Sequence, residues 1–477
     1  MNYTSWFIPL SIIVSSLFTI SVIILTIATL IFRTKIIRKY DRGEELMSDM
    51  ILVFSVISIW IAVLEAIVIV AGAIRFIYKQ NKAPLVIPDN MDHFPTVTIM
   101  VPAHNEEIVI ASTVEHILQL NYPEDKVQII VIADNCSDRT AHNVKILKEK
   151  RAYRHRNFHI MERTGTGGKS GALNDALKMA TGDWICVYDA DAAPEKNALL
   201  FLTQKAMEKP DLYGAVFGRN KARNRNQNFL LKCINLELVT VQRIHHTGLW
   251  ELFKIGTIPG TNFIVKTALI RDIGGWDEDA LTEDTAISFE ILTRGQFIAL
   301  APQAEAYQQE PESLAVYMKQ RERWSKGNYQ VILDNIHHLF TSVSWRIKPH
   351  ILYYAASYFW FMLAIIISDI LFVTNIVYQI ISLFNPSVIS PFFFSDDVYV
   401  YLMIAWALMY YIYVLQINLA LVADIGQSNV SNFVIACVSY FTYSQLFLII
   451  SVRAFYSLCV DKIVGRKTKW YKTQRFN

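Results

Sequence analysis

The chain has 477 residues, of which 53% are hydrophobic, 13% aromatic and only 18% charged. A soluble domain carries about 25% charged residues, so this composition excludes both a disordered chain and a purely soluble fold. A net charge of +3 is too small to suggest a nucleic-acid partner, and none of the five cysteines stands in a CxxC pair that would suggest zinc. In chain order, residues 6–32 are apolar and free of charge. That run gives about 40 Å of helix, and it is too long, and lacks the basic leader, for a cleavable signal peptide. Residues 50–74 form a second span that contains Glu65, an acid expected to face protein or water rather than lipid. Residues 95–345 then read as soluble, and three further apolar stretches follow at 350–383, 398–423 and 431–458.

Within the soluble stretch, β-rich runs at Thr96–Val101, Val127–Ala133, Asn157–Met161 and Trp184–Tyr188 alternate with helical patterns such as Glu107–Leu120 and Ser170–Met179. Strands alternating with helices predict parallel pairing and an α/β layer fold, whose ligands bind beyond the carboxyl ends of the strands. Three of the runs end in polar clusters: HNEE at 104–107, DNCSD at 134–138 and DAD at 189–191.

Asp189 and Asp191, one residue apart at a strand end, can hold a hard divalent cation or can form a solvated turn. The stretch TGTGGKSGALN at 164–174 lacks the first glycine of a phosphate-binding P-loop, because Arg163 stands in its place. It still offers a flexible turn with Lys169 at a helix start, suited either to an anionic ligand or to a capped turn. Thr282-Glu283-Asp284 can supply a base of raised pKa, or simply the N-terminal cap and first turn of a helix. Gln320-Arg321-Glu322-Arg323-Trp324 puts guanidinium groups, which can fork onto phosphate, beside an indole that can stack on a sugar ring; the other reading is an interfacial amphipathic helix. Together these parts describe glycosyl or phosphoryl transfer from a nucleotide donor.

The motifs VPAHNEE at 101–107, DNCSD at 134–138, GGKSGALN at 167–174, DAD at 189–191, TED at 282–284 and QRERW at 320–324, in that order, resemble the membrane-embedded family-2 glycosyltransferases, which include cellulose, chitin, hyaluronan and poly-N-acetylglucosamine synthases. The resemblance implies a GT-A-like α/β transferase domain with a mixed, mostly parallel sheet, inserted between transmembrane helices. It also implies the site. Ala103, His104, Glu106, Asp134, Lys169, Asp189, Gln320 and Arg323 would bind the UDP-sugar donor, with His104 and Lys169 flanking the uracil. Asp189 and Asp191 would hold Mg²⁺ or Mn²⁺. Asp284, beside Glu283, would be the general base on the acceptor hydroxyl. Trp324, Thr261 and Asn262 would receive the acceptor, a growing polysaccharide. Trp470, Thr473 and Arg475 of the basic tail would close over the donor as a gating segment; the tail also reads as a segment that binds anionic lipid.

The implied reaction is a single displacement with inversion, giving a β-linked polymer from UDP-glucose or UDP-N-acetylglucosamine, with a mixed-linkage or β-1,3 glucan also open. The implied layout is a transmembrane hairpin at 1–80, a cytosolic transferase domain at 95–330, an interfacial helix at 331–349, transmembrane and interfacial helices at 350–458 and a cytosolic tail at 459–477, all in a plasma membrane. This layout puts the five basic residues of the 33–49 loop outside, against the positive-inside tendency. A cytosolic tail requires one C-terminal stretch not to cross, and 431–458, with Ser439, Thr442, Ser444, Gln445 and Arg453, is the expected one. Two other readings remain open: a non-processive transferase acting on a lipid acceptor, and an inactive transferase-like transport or scaffold protein.

Overall fold

The computed structural model describes residues 46–82, 86–88, 90–341, 344–345, 347–385 and 396–465. The expected first span at 6–32 and the gating residues Trp470, Thr473 and Arg475 lie outside the described residues.

The α/β region is built on strands β1 (Val97–Ala103), β2 (Val127–Asp134), β3 (Phe158–Arg163), β4 (Trp184–Val187), β5 (Ala193–Pro194), β6 (Tyr213–Ala222), β7 (Phe263–Lys266) and β8 (Phe297–Gln308), in one sheet ordered β3-β2-β1-β4-β7-β6-β8-β5. Pairs β1–β2, β1–β4, β2–β3 and β6–β8 are parallel, whereas β7 runs antiparallel to β4 and β6, and β5 to β8. The sheet is therefore mixed, as expected. Every residue of β2 and of β4 is buried, the pattern of strands covered on both faces. Helices α1 (Leu46–Lys82), α2 (Ile110–Leu118), α3 (Thr140–Glu149), α4 (Gly168–Leu177) and α5 (Ala198–Glu208) precede a second set: α6 (Phe229–Thr240), α7 (His246–Phe253), α8 (Thr267–Ile273) and α9 (Glu283–Thr293). A π-turn at Val241–His245 joins α6 to α7.

Helix α10 (Leu314–Asn335) starts where the Ser313 hydroxyl accepts the Val316 N–H. The interfacial helix expected from residue 331 does not begin there. Val331 and Ile332 are buried, so α10 runs on to Asn335, and a 3₁₀ turn at Ile336–Leu339 precedes α11 (Ile347–Ala355). A second π-turn, Ala356–Trp360, leads to α12 (Phe361–Phe384), followed by α13 (Asp396–Ala423), α14 (Val430–Ser439) and α15 (Tyr443–Val464).

Three helices among the described residues are long and apolar enough to cross a membrane: Val53–Lys82, Ile347–Phe384 and Leu402–Ala423. The last expected stretch is instead a pair, α14 and α15, bent by 41°. Glu65 is half-buried within α1.

Two contacts fix the sheet to these helices. Helices α1 and α7 touch backbone to backbone: a Cβ on Gly248 would lie 2.2 Å from the Ile69 carbonyl oxygen. At the far end of α13, Asp424 meets Arg219 of β6 at 3.0 Å and Arg243 at 2.8 Å. Burial raises the Asp424 carboxyl, but the two guanidinium charges more than offset this and hold it below its usual value.

Candidate active site

The carboxyl ends of β1, β2 and β4 open onto a cavity of about 350 Å³. Each strand delivers a polar residue just past its last apolar position: His104 after β1, Asp134 at the end of β2, Asp189 after β4. Ala103, His104, Glu106, Asp134, Lys169, Asp189, Glu283, Asp284, Gln320, Arg323 and Trp324 all line it. Side chains separated by more than 200 residues thus share one pocket.

Lys169 is the hub. Helix α4 starts from Gly167, whose φ of +80° turns the loop so that Lys169 points inward. Its Nζ lies 2.7 Å from Asp189 Oδ1, 2.9 Å from the Gly260 carbonyl and 3.1 Å from Glu283 Oε1. Glu283 and Asp284 form the first turn of α9, so the reading of this triplet as a helix start is also met, although Thr282 makes no side-chain cap. Burial pushes the Asp284 carboxyl up, and the adjacent Glu283 charge adds to this, to about 7 despite the pull of Lys169 and Arg323. Glu283 goes the other way: burial raises it, and the Lys169 charge overcomes that and holds it low. One acid of the pair therefore stays ionised while its neighbour titrates near neutrality.

Asp134 receives the Arg163 Nη1 at 2.7 Å, and its carbonyl accepts the His104 Nδ1–H at 2.7 Å. Arg163 was not among the expected site residues. It ends β3 beside Asp134 on the same sheet edge, and the carboxyl-end rule applied to the third strand would have found it.

Not every expected residue reaches the cavity. Asp191 is 3% exposed and accepts the Gln309 N–H at 3.1 Å behind the cavity wall. The Thr261 hydroxyl accepts the Asp189 N–H at 2.9 Å, and Asn262 Nδ2 donates to the Arg219 and Ala304 carbonyls. Asn262 has a φ of 55°, and this left-handed turn sends both side chains into the fold, leaving Pro259 and Gly260 at the wall.

No group of three or more His, Cys, Asp or Glu among the described residues is arranged to hold a metal alone. The chemistry of the wall still fits a dication that takes part of its shell from phosphate oxygens, because such an ion needs only one or two carboxylates. Five acids (Glu106, Asp134, Asp189, Glu283 and Asp284) face two cations, Lys169 and Arg323.

A second cavity, about 610 Å³, lies among the apolar helices, and Trp324 lines both. Its wall includes Ser58 of α1, His245 of the first π-turn, Tyr358 of the second, Asp369 of α12 and Gln416 of α13. Asp369 Oδ2 and Gln416 Nε2 are buried without a hydrogen-bond partner among the described residues.

Residues 95–327 match the model of the glycosyltransferase-like family 2. The chain is 34% identical over 432 residues to the probable glycosyltransferase YdaM of Bacillus subtilis, covering 90% of this chain and 99% of that protein. This chain belongs to glycosyltransferase family 2. A second relative of this family-2 enzyme is the poly-β-1,6-N-acetyl-D-glucosamine synthase of Staphylococcus aureus, 31% identical over 256 residues, or 54% of this chain and 59% of the synthase. Among solved structures, the mannosyltransferase PcManGT of Pyrobaculum calidifontis, in complex with GDP-Man and Mn²⁺, superimposes with a TM-score of 0.51 at 18% identity, over 87% of this chain and 99% of that one. The family-2 transferase thus has the GT-A fold.

Proposed function

We propose that this enzyme is a processive, inverting glycosyltransferase that polymerises sugars from UDP-glucose or UDP-N-acetylglucosamine into a β-linked polysaccharide and extrudes the chain across the membrane. The kinship with a poly-N-acetylglucosamine synthase favours UDP-N-acetylglucosamine. The observation that carries the reading is Trp324, the shared wall between the cavity that holds the acids and the one enclosed by apolar helices. An acceptor leaning on that indole has its reacting end beside Asp284 and its other end in the second cavity.

In this mechanism Asp284 takes the proton from the acceptor hydroxyl, and Glu283, ionised and bound to Lys169, keeps Asp284 basic enough to do so. Arg323 and Lys169 face the diphosphate, while His104 and Asp134, the latter braced by Arg163, receive the nucleotide. Mg²⁺ or Mn²⁺ at Asp189 would supply the positive charge that stabilises the leaving diphosphate. The acceptor hydroxyl attacks the anomeric carbon opposite the diphosphate, and the configuration inverts in one step.

Polar and acidic side chains among apolar helices are costly unless they face a polar occupant or water. Ser58, His245, Asp369 and Gln416 therefore favour a saccharide in the second cavity over a lipid tail. Helix α15 supports placing α14–α15 against the catalytic domain: Tyr443, Arg453 and Asp461 along it contact Tyr317, Glu322 and Lys326 of α10. Both ends of α15 stay beside the helix that carries Arg323 and Trp324.

The test is product sizing. Purified full-length protein in nanodiscs, given radiolabelled UDP-N-acetylglucosamine or UDP-glucose with Mg²⁺ or Mn²⁺, should release UDP and make polymer cleaved by a linkage-specific β-hydrolase. A product of one sugar on lipid would reject processive synthesis, and absence of UDP release would reject transfer.

A further inference from the structure

The acceptor indole sits on a stack with Arg321, which belongs to the QRERW motif but does not line the first cavity. Tyr317, Arg321 and Trp324 occur at i, i+4 and i+7 on α10, hence on one face. The Arg321 guanidinium lies between the two rings, 4.5 Å from the centre of Trp324 and 5.2 Å from that of Tyr317. Its Nη1 is 3.0 Å from Glu237 Oε1, on α6. The other Glu237 oxygen accepts the Tyr443 hydroxyl of α15, and the Tyr317 hydroxyl reaches Tyr443 at 2.9 Å. A planar cation fixed on one edge by a carboxylate and packed by an aromatic ring on one face leaves little freedom to the ring on its other face. Three helices are pinned together at the indole that bounds both cavities.

We propose that Arg321 and Glu237 are positioning residues for the acceptor: they fix the plane of the Trp324 indole so that a β-linked saccharide stacks in register with Asp284, and Tyr443 ties that plane to the membrane-side helix α15. The proposal rests on the reading of Trp324 as the acceptor platform. It separates acceptor placement from donor binding, because Arg321 and Glu237 line only the second cavity.

Intrinsic fluorescence of the full-length protein in nanodiscs is titrated with chitotetraose and cellotetraose, and the part of the quenching lost in Trp324→Phe reports on this ring. Alongside, UDP release gives KM separately for donor and acceptor. Arg321→Met should weaken the Trp324-dependent quenching and raise the acceptor KM about tenfold, while the donor KM moves less than twofold. Arg321→Lys, which restores a cation against the indole and Glu237, should recover part of the loss, and Glu237→Gln should shift the acceptor KM in the same direction as Arg321→Met. Equal changes in both KM values, or lower kcat with the acceptor KM unchanged, would show a purely structural role and overturn the proposal. Absence of saccharide quenching in the unaltered protein, or response only to a polyprenyl phosphate, would also overturn it. Quenching without UDP release would instead reject the transferase reading and leave the positioning intact.

Discussion

Asp284, the base of the proposed reaction, titrates close to neutral pH. Its raised value follows from burial and from the ionised Glu283 beside it, with Lys169 setting the upper limit. A general base works only when ionised, so kcat/KM should rise with pH through about 7 and fall as Asp284 is protonated below it. Lys169→Met removes the cation that pulls this carboxyl down most and should move that acid limb to higher pH; a pH–rate profile of both proteins checks this. The sign for stability is opposite. A carboxyl whose value is higher folded than unfolded favours the native state when protonated, and this contribution is lost as pH rises through about 7. Asp284→Asn should lower kcat roughly 10²–10⁴-fold, the usual worth of a positioned base, while leaving nucleotide affinity near that of the parent. His104, Asp134 and Asp189 were legible in the sequence because each directly follows or ends an apolar strand, whereas Lys169, Asp284, Arg323 and Trp324 stand on helices and were legible from the order of the motifs. Arg163 was missed because it acts across strands, on the Asp134 carboxylate, rather than within a motif.

At the level of elements, the loop Pro259–Asn262 matters more for its backbone than for its side chains. Gly260 has a φ of +84°, and a Cβ there would lie 3.0 Å from Asp284 Oδ2. Gly260→Ala should therefore strain the loop and push on the base, costing about 1 kcal/mol in stability and more than tenfold in kcat; thermal melting and single-turnover rates measure the two separately. The family resemblance marked Thr261 and Asn262 as acceptor ligands, and periodicity alone does not reveal that Asn262 adopts a left-handed turn and faces β6 and β8. The four parallel strands β1 to β4 were legible from their alternation with helices. Strands β6, β7 and β8 were not, because their pairings join distant segments in both directions, and no local period encodes such an order. The end of α10 was misjudged for a similar reason: burial of Val331 and Ile332 depends on tertiary packing that polar spacing does not record.

For the molecule as a whole, the Asp424 cluster joins the catalytic sheet to the apolar helices. Arg219 and Asp424 are each 2% exposed. Removing the acid takes away the carboxylate that Arg219 and Arg243 share and leaves Arg219 only Glu305 among the described carboxylates, a loss of up to about 3 kcal/mol. Asp424→Ala should thus lower the melting temperature by several degrees, whereas Arg294→Ala, which breaks surface ion pairs with Asp272 and Glu290, should change it little. Apolar length made the three candidate spans legible. The bend between α14 and α15 was not, although the polar residues at 439–445 marked the place where the helix breaks.

The acidic wall of the first cavity bears on how a sugar nucleotide would enter it. Even with Arg163 braced behind Asp134, its carboxylates outnumber its cations, so a bare nucleoside diphosphate approaches a surface of its own sign. The sugar nucleotide should therefore arrive already chelated, ion and donor entering as a single less-charged unit. Calorimetric titration in EDTA should show donor affinity at least tenfold weaker than with Mn²⁺ or Mg²⁺, and the order of addition should read as compulsory rather than random.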